Sequence, residues 1–242
     1  PLVDVRMLTH RTLLLTNAGA VLMGFAMFGL YLGVSEFVQI PGAAGGYGFS
    51  ASVLSAATVY LLPPAMVSLV AAPVGGILVR RWSARTVLAG AGAVGLIGFG
   101  SLTLWHGSTG AVIAGSVVAG SSLSLAYAAM PTLIVRSVAL SRTGIANSIN
   151  SISRSVGASA AGAAIAALLA ATADSATGLP GENGFTWAFA LSAAAGALTA
   201  VAALLIPGRT GTAPEAAGVP RTGGAAGAVA GASGGRPESS GG

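Results

Sequence analysis

Long runs of apolar residues dominate the chain, and short segments richer in polar residues separate them. A helix rises about 1.5 Å per residue, so crossing roughly 30 Å of hydrocarbon takes about 20 apolar residues. Six runs reach that length, at about 13–34, 51–79, 87–105, 111–135, 144–171 and 185–206. They are continuous, whereas membrane β-strands are shorter and alternate apolar with polar residues. The pattern predicts an all-α membrane protein, a six-transmembrane-helix bundle in the lipid bilayer.

The arginines predict the orientation of these spans. One of the 11 lies inside the fifth span, and the others flank the spans on one side. These flanking residues are Arg6, Arg11, Arg80, Arg81, Arg85, Arg136, Arg142, Arg209, Arg221 and Arg236. Loops 35–50, 106–110 and 172–184, on the other side, contain no arginine. Because cytoplasmic loops carry an excess of basic residues, we predict cytoplasmic termini, in the cytoplasmic membrane of a bacterium.

The composition excludes several classes of protein. Only 7% of the residues are charged and 54% are hydrophobic, whereas a soluble domain carries about 25% charge. With no cysteine and two histidines, we expect neither a metal nor a cofactor. The basic charge is spread over membrane loops, which argues against a nucleic-acid partner. Residues 1–12 are predicted as a cytoplasmic leading segment, and the Gly-, Ala- and Pro-rich residues 207–242 as a disordered cytoplasmic tail.

The fifth span carries a polar helix face in its first half. Four residues follow the helical spacing i, i+3, i+4 and i+7 and therefore share that face: Asn147, Asn150, Ser151 and Arg154. An arginine inside a span is costly unless it faces protein, water or an anion. We therefore predict that this face lines a substrate pathway. The alternative is a structural arginine that reaches the membrane surface or bonds neighbouring carbonyl groups.

Two further features of the spans are candidates for function. Glu36 lies near the outer end of the first span, where a carboxyl group can take up and release protons; an ordinary solvated acid is the favoured alternative. Pro63, Pro64 and Pro73 interrupt the second span and predict a kink, which is either a hinge or a fixed bend. His106, at an outer turn, is predicted to be solvated.

Residues 90–95, with the sequence GAGAVG, match the dinucleotide-binding pattern G-x-G-x-x-G. That function requires a strand before the pattern and a helix after it, whereas here the pattern lies inside the third span. It therefore predicts close packing of helices.

Residues 72–88, between the second and third spans, resemble the cytoplasmic loop motif G-x-x-x-D-R-x-G-R-R of the major facilitator superfamily. Gly76, Arg81 and Arg85 match the motif, whereas Arg80 stands at its aspartate and Ser83 at its second glycine. The resemblance implies a cytoplasmic gating loop formed by Gly76, Arg80, Arg81 and Arg85, with its salt bridge and tight turn weakened.

Three other stretches are similar to the last six spans of the fourteen-helix drug:proton antiporters of this superfamily: residues 1–8, residues 39–50 and residues 144–157. In the last of these, Arg154 matches an arginine that is common there. The resemblance implies half of a major facilitator fold and proton-coupled efflux of amphipathic, drug-like molecules by alternating access. The missing N-terminal half of the same protein, or a second copy, would complete it, and we expect the chain to be a fragment.

Two rival functions remain open at this stage. A membrane-embedded enzyme would need a catalytic cluster within the bilayer, and both histidines lie at span ends, so we expect no enzyme. A non-transporting sensor or assembly subunit with the same fold is the alternative, and the loss of the motif aspartate at Arg80 favours it.

Overall fold

The computed structural model describes residues 11–207, and within that range it is all-helical and contains no strand. Six helices are long and apolar enough to cross a membrane, which confirms the predicted six spans. They are α1 (Arg11–Gln39), α2 (Val53–Arg81), α3 (Ala84–Leu104), α4 (Thr109–Val135), α5 (Leu140–Ala171) and α6 (Glu182–Leu205). Nearly all of the predicted leading segment and tail lies outside the described residues.

The proline-rich second span is one continuous helix whose winding changes. Residues Ala56–Leu61 of α2 form a π-helical turn, and α-helical winding resumes at Leu62, directly before Pro63 and Pro64. The prolines therefore occupy the first turn of an α-helical segment, where a missing N–H group is tolerated. Pro73 lies farther along, inside the same helix. The interruption read from the sequence thus corresponds to a change from π to α winding.

The helices pack as two related groups of three. α1 packs against α5, α6 and α4, while α4 packs against α2, α3 and α1. If α1, α2 and α3 are exchanged in order with α4, α5 and α6, the contacts of α1 become those of α4. The α1–α5 contact then corresponds to the α4–α2 contact, and the α1–α6 contact to the α4–α3 contact. The extensive α3–α6 contact maps onto itself under the same exchange. Because consecutive helices alternate in direction, the two groups run opposite ways through the bundle and form an inverted repeat.

Two helices are much less covered than the others. In α2 and α5 only 22% and 17% of the most apolar stretch is buried, against 44–50% in the other four helices. Both therefore present a wide face to the surroundings of the bundle.

Glycines bring the helix backbones into direct contact. A Cβ atom built on Gly24 of α1 would overlap the carbonyl oxygen of Arg154 on α5, and one on Gly157 would overlap the carbonyl oxygen of Val21. In α3, a Cβ atom on Gly92 would lie 2.6 Å from the carbonyl oxygen of Gly196 on α6. Small residues give membrane helices this close approach, since lipid provides no hydrophobic driving force between them. The G-x-G-x-x-G pattern, to which Gly92 belongs, thus lies within α3 and contributes to packing.

We expect Gly157→Ala to destabilise the bundle, because the added methyl group must push α1 away from α5. Overpacking of this kind costs about 1–3 kcal/mol. Gly90→Ala is the matched control, since nothing lies within 4 Å of a Cβ atom at that helical position. Thermal unfolding of both variants in detergent measures the difference. Equal midpoints for the two variants would show that the α1–α5 contact does not limit stability.

Candidate functional site

The three arginine-free loops meet at one end of the bundle. The hydroxyl group of Tyr47, between α1 and α2, donates a hydrogen bond to the carbonyl oxygen of Pro180, between α5 and α6. His106 follows α3, and its Nε2 atom lies 3.0 Å from the Oε1 atom of Glu182, the first residue of α6. Loops that the arginine pattern placed on one side of the membrane are therefore connected to one another.

An aromatic cluster fills the bundle beneath these loops. Phe37 of α1 is buried at its centre, with its ring 5.3–5.9 Å from four other rings. Those rings belong to Tyr47, Phe49, His106 and Phe185. The contact with Tyr47 is stacked and the other three are edge-to-face, and such contacts add to the stabilisation gained from burying the rings. The arginine-free end is consequently closed by packed side chains.

His106 is embedded in this end, and the expectation that it is solvated was wrong. Its side chain is only 11% exposed. Its Nδ1 atom lies 2.7 Å from the carbonyl oxygen of Leu102, and its Nε2 atom faces the Glu182 carboxyl group. A carbonyl oxygen only accepts hydrogen bonds, so Nδ1 carries a proton, and a neutral imidazole then has none left for Nε2. His106 thus joins the last turn of α3 to the first residue of α6.

Glu36, the predicted proton-coupling residue, lies elsewhere on the same end. It is exposed near the end of α1, and the ion pair at this end is formed by His106 and Glu182 instead. No local pattern pointed to that pair, because its two members are 76 residues apart in the chain.

The opposite end contains the predicted gating loop. Arg85 reaches across the bundle, and its Nη2 atom donates to the carbonyl oxygen of Leu204 at 2.5 Å, near the end of α6. Ser83, which replaces the motif glycine, caps α3, because its hydroxyl group accepts from the Thr86 amide at 3.1 Å. Arg80 and Arg81 are exposed at the end of α2.

Gly76, the motif glycine, faces open space within this chain, with no atom within 4 Å of a Cβ position. Its neighbour Gly75 is the glycine that contacts α4, where a Cβ atom would lie 2.9 Å from that of Ala128.

Three of the four predicted pathway residues come together in α5. The Nη1 atom of Arg154 donates to Asn150 Oδ1 at 3.1 Å, and its Nη2 atom donates to Ser151 Oγ at 3.3 Å. Asn150 is itself held, since its Nδ2 atom donates to Oδ1 of Asn17 on α1 at 3.2 Å. Asn147 is half-buried about one turn earlier. The polar face inferred from helical spacing thus forms a connected network.

Arg154 also contacts residues that the sequence pattern did not single out. Its guanidinium carbon lies 5.1 Å from the ring centroid of Tyr127 on α4, a cation–π distance. The Tyr127 hydroxyl group in turn donates to the sulfur of Met27 on α1 at 3.2 Å. Three helices therefore converge on one arginine.

This arginine faces a cavity of about 470 Å³. Around Arg154 the cavity is lined by Met27, Tyr127, Pro131, Ser151, Ser155 and Ala158. Arg154 lies 11 residues beyond Thr143, where the α-helical part of α5 begins, which corresponds to a depth of roughly 16 Å. The cavity therefore combines one cation, hydroxyl groups and an aromatic ring well inside a helix that is long enough to cross a membrane.

Comparison with known protein families and with curated proteins finds no match for this chain. Its class therefore follows from the structure alone. Six apolar helices of sufficient length indicate a multi-pass membrane protein.

The Tyr47 hydroxyl group has a pKa that favours its role as a donor. Burial raises the pKa of Tyr47 above 10.0, and the negative charge of Glu182 raises it further. The hydrogen bond to Pro180 is therefore fully present below that ordinary value. It is lost only as the pH rises through the higher pKa of the folded chain.

We expect Tyr47→Phe to loosen loop 172–181 without unfolding the bundle. A neutral hydrogen bond contributes about 1 kcal/mol, so amide exchange in that loop should accelerate about fivefold near pH 7. Tyr31→Phe is the control, since Tyr31 is an exposed ring on α1. Hydrogen–deuterium exchange with mass spectrometry provides the measurement. Unchanged exchange in loop 172–181 would mean that this bond does not hold the loops together.

Proposed function

We propose that the chain is one half of a major facilitator transporter that moves amphipathic small molecules by alternating access, driven by proton influx. The observation that carries the proposal is the cavity at Arg154, deep within the spans. An ionisable side chain at such a depth marks a substrate or ion pathway more often than a structural role. Transporters of this type bind their substrates near the middle of the membrane.

The inverted repeat of helix packing supports the same fold. Each six-helix half of a major facilitator transporter consists of two inverted three-helix repeats. The exchange of α1, α2 and α3 with α4, α5 and α6 has this form. Six-helix packing of this kind is therefore compatible with the family resemblance in loop 72–88 and in α5.

The exposed faces of α2 and α5 support a requirement for a second half. Gly76 and Ala72 lie one turn apart on α2, and Gly76 has open space around it. Small residues at this spacing permit close approach of another helix. On α5 a row of exposed serines includes Ser151 and Ser155 of the cavity. We propose that the N-terminal half of the same protein, or a second copy, packs against these faces and encloses the cavity.

The arginine-free end supplies candidates for proton coupling. Glu36 remains one, and the His106–Glu182 pair is a second, because it brings an imidazole and a carboxyl group within 3.0 Å of each other. Both groups lie at the end that the arginine distribution predicts to be outside, where protons enter the cell.

A sensor or assembly subunit is the second candidate function. The specific observation in its favour is Arg80, which stands where the loop motif has an aspartate and lies exposed at the end of α2. Without that carboxyl group the loop lacks the salt bridge that the family resemblance implies.

The DNA upstream of the Pro1 codon tests the need for a second half. An open frame encoding about eight further apolar spans would supply the partner for a fourteen-helix antiporter. A stop codon followed by a nearby start would leave transport dependent on a dimer of this chain and would favour the sensor reading.

Transport by the complete protein tests the function itself. In proteoliposomes with an imposed pH gradient, we expect uptake of an amphipathic dye that falls at least tenfold in Arg154→Ala. Arg136→Ala, which removes an exposed arginine at the end of α4, should retain transport. Full transport by Arg154→Ala would exclude a pathway role for Arg154. Absence of gradient-driven transport in the unaltered protein would favour the sensor.

A further inference from the structure

We infer that the cavity at Arg154 binds the carboxylate group of an amphipathic organic anion. This inference rests on the proposed function only in taking the cavity as the substrate site, and it names the chemical class of that substrate. The charge of Arg154, its unused hydrogen-bond donors and the shape of the cavity all favour such a ligand.

The charge of Arg154 is uncompensated within the described residues. No acidic side chain lines the cavity, and among residues 11–207 the one ion pair joins His106 and Glu182 at the arginine-free end. The acids of that range, Glu36, Asp174 and Glu182, all lie in or beside the arginine-free loops. A cation in a membrane interior is stabilised strongly by any anion that can reach it. The cavity is the route by which such an anion arrives.

The guanidinium group is oriented and still has donors to offer. Asn150 and Ser151 accept one hydrogen bond each from different Nη atoms, whereas a guanidinium group has five N–H donors. Its position over the Tyr127 ring and the anchoring of Asn150 by Asn17 restrain its plane. A restrained planar group with free donors suits a carboxylate, which accepts two parallel hydrogen bonds.

The remainder of the cavity suits an apolar body. Met27, Tyr127, Pro131 and Ala158 line it, and its volume is about 470 Å³, which lies within the usual range for small-molecule sites. Arg154 lies roughly 16 Å along α5 from Thr143, so we expect it below the headgroup region of a membrane that α5 spans. A freely diffusing amphiphile therefore fits the site better than a lipid headgroup does.

The test uses three probes with the same apolar body and different charges. Pyrenebutanoate is the carboxylate, pyrenebutanol the neutral analogue and pyrenebutyltrimethylammonium the cation. Each is titrated at pH 7 against the 242-residue chain in phosphatidylcholine nanodiscs, and binding to empty nanodiscs is subtracted. Fluorescence anisotropy gives the dissociation constants. We expect the carboxylate to bind at least tenfold more tightly than the alcohol, and the cation to bind most weakly.

Three variants test whether the preference depends on Arg154. Arg154→Gln should bring carboxylate and alcohol to equal affinity, whereas Arg136→Gln removes one exposed positive charge from α4 and should leave the preference intact. Arg154→Lys retains the charge without the planar fork and should preserve part of the preference. Circular dichroism and size-exclusion chromatography confirm that each variant is folded.

Several results would overturn the inference. Equal binding of the three probes to the unaltered chain would overturn it, whatever the variants show. Tighter binding of the cation than of the carboxylate would also overturn it. A carboxylate preference that persists in Arg154→Gln would place the site elsewhere. A negative binding result would leave open the outcome of the transport assay, which uses the complete protein and a different readout. Conversely, selective carboxylate binding together with absence of transport would retain the site and reject the transporter.

Discussion

The close approach of α1 and α5 at Gly24 and Gly157 determines where Arg154 lies. Helices in lipid gain little from excluding apolar surface, so their association depends on contact between backbones and small residues. Here the α1 backbone at Gly24 rests directly on the backbone of Arg154. The arginine therefore emerges at a defined height beside Met27 on α1 and Tyr127 on α4. A wider spacing would separate the guanidinium group from both.

Neighbouring polar and aromatic side chains make an arginine inside a span tolerable. A guanidinium group inside a span requires polar partners, and it finds Asn150 and Ser151 on its own helix and an aromatic face on α4. These partners are neutral, so they orient the charge without cancelling it. The network differs in this respect from a structural ion pair. The guanidinium group of Arg154 is oriented beside a cavity whose lining contains no acidic residue. A bound ligand could therefore supply the opposite charge, as inferred above.

Much of the architecture could be predicted from the sequence, because lipid imposes length and polarity on each span separately. The six helices and the polar face through Asn150, Ser151 and Arg154 follow from local periodicity. The contacts that turn this face into a cavity could not be predicted in the same way. Tyr127 and Met27 lie in apolar helices, where no pattern distinguishes them from other partly buried residues. They contact the Arg154 network only because α1, α4 and α5 pack together. His106 and Glu182 are likewise joined only by the meeting of loops that are distant in sequence.

The two ends of the bundle differ in how their helices and loops are joined. The arginine-free end is closed by the Phe37 cluster, by the Tyr47–Pro180 bond and by the His106–Glu182 pair. At the other end, Arg85 joins α3 to α6 through a hydrogen bond to the carbonyl oxygen of Leu204. For the proposed transporter, opening of the arginine-free end would therefore have to break the 3.0 Å contact between His106 and Glu182, which joins the end of α3 to the start of α6.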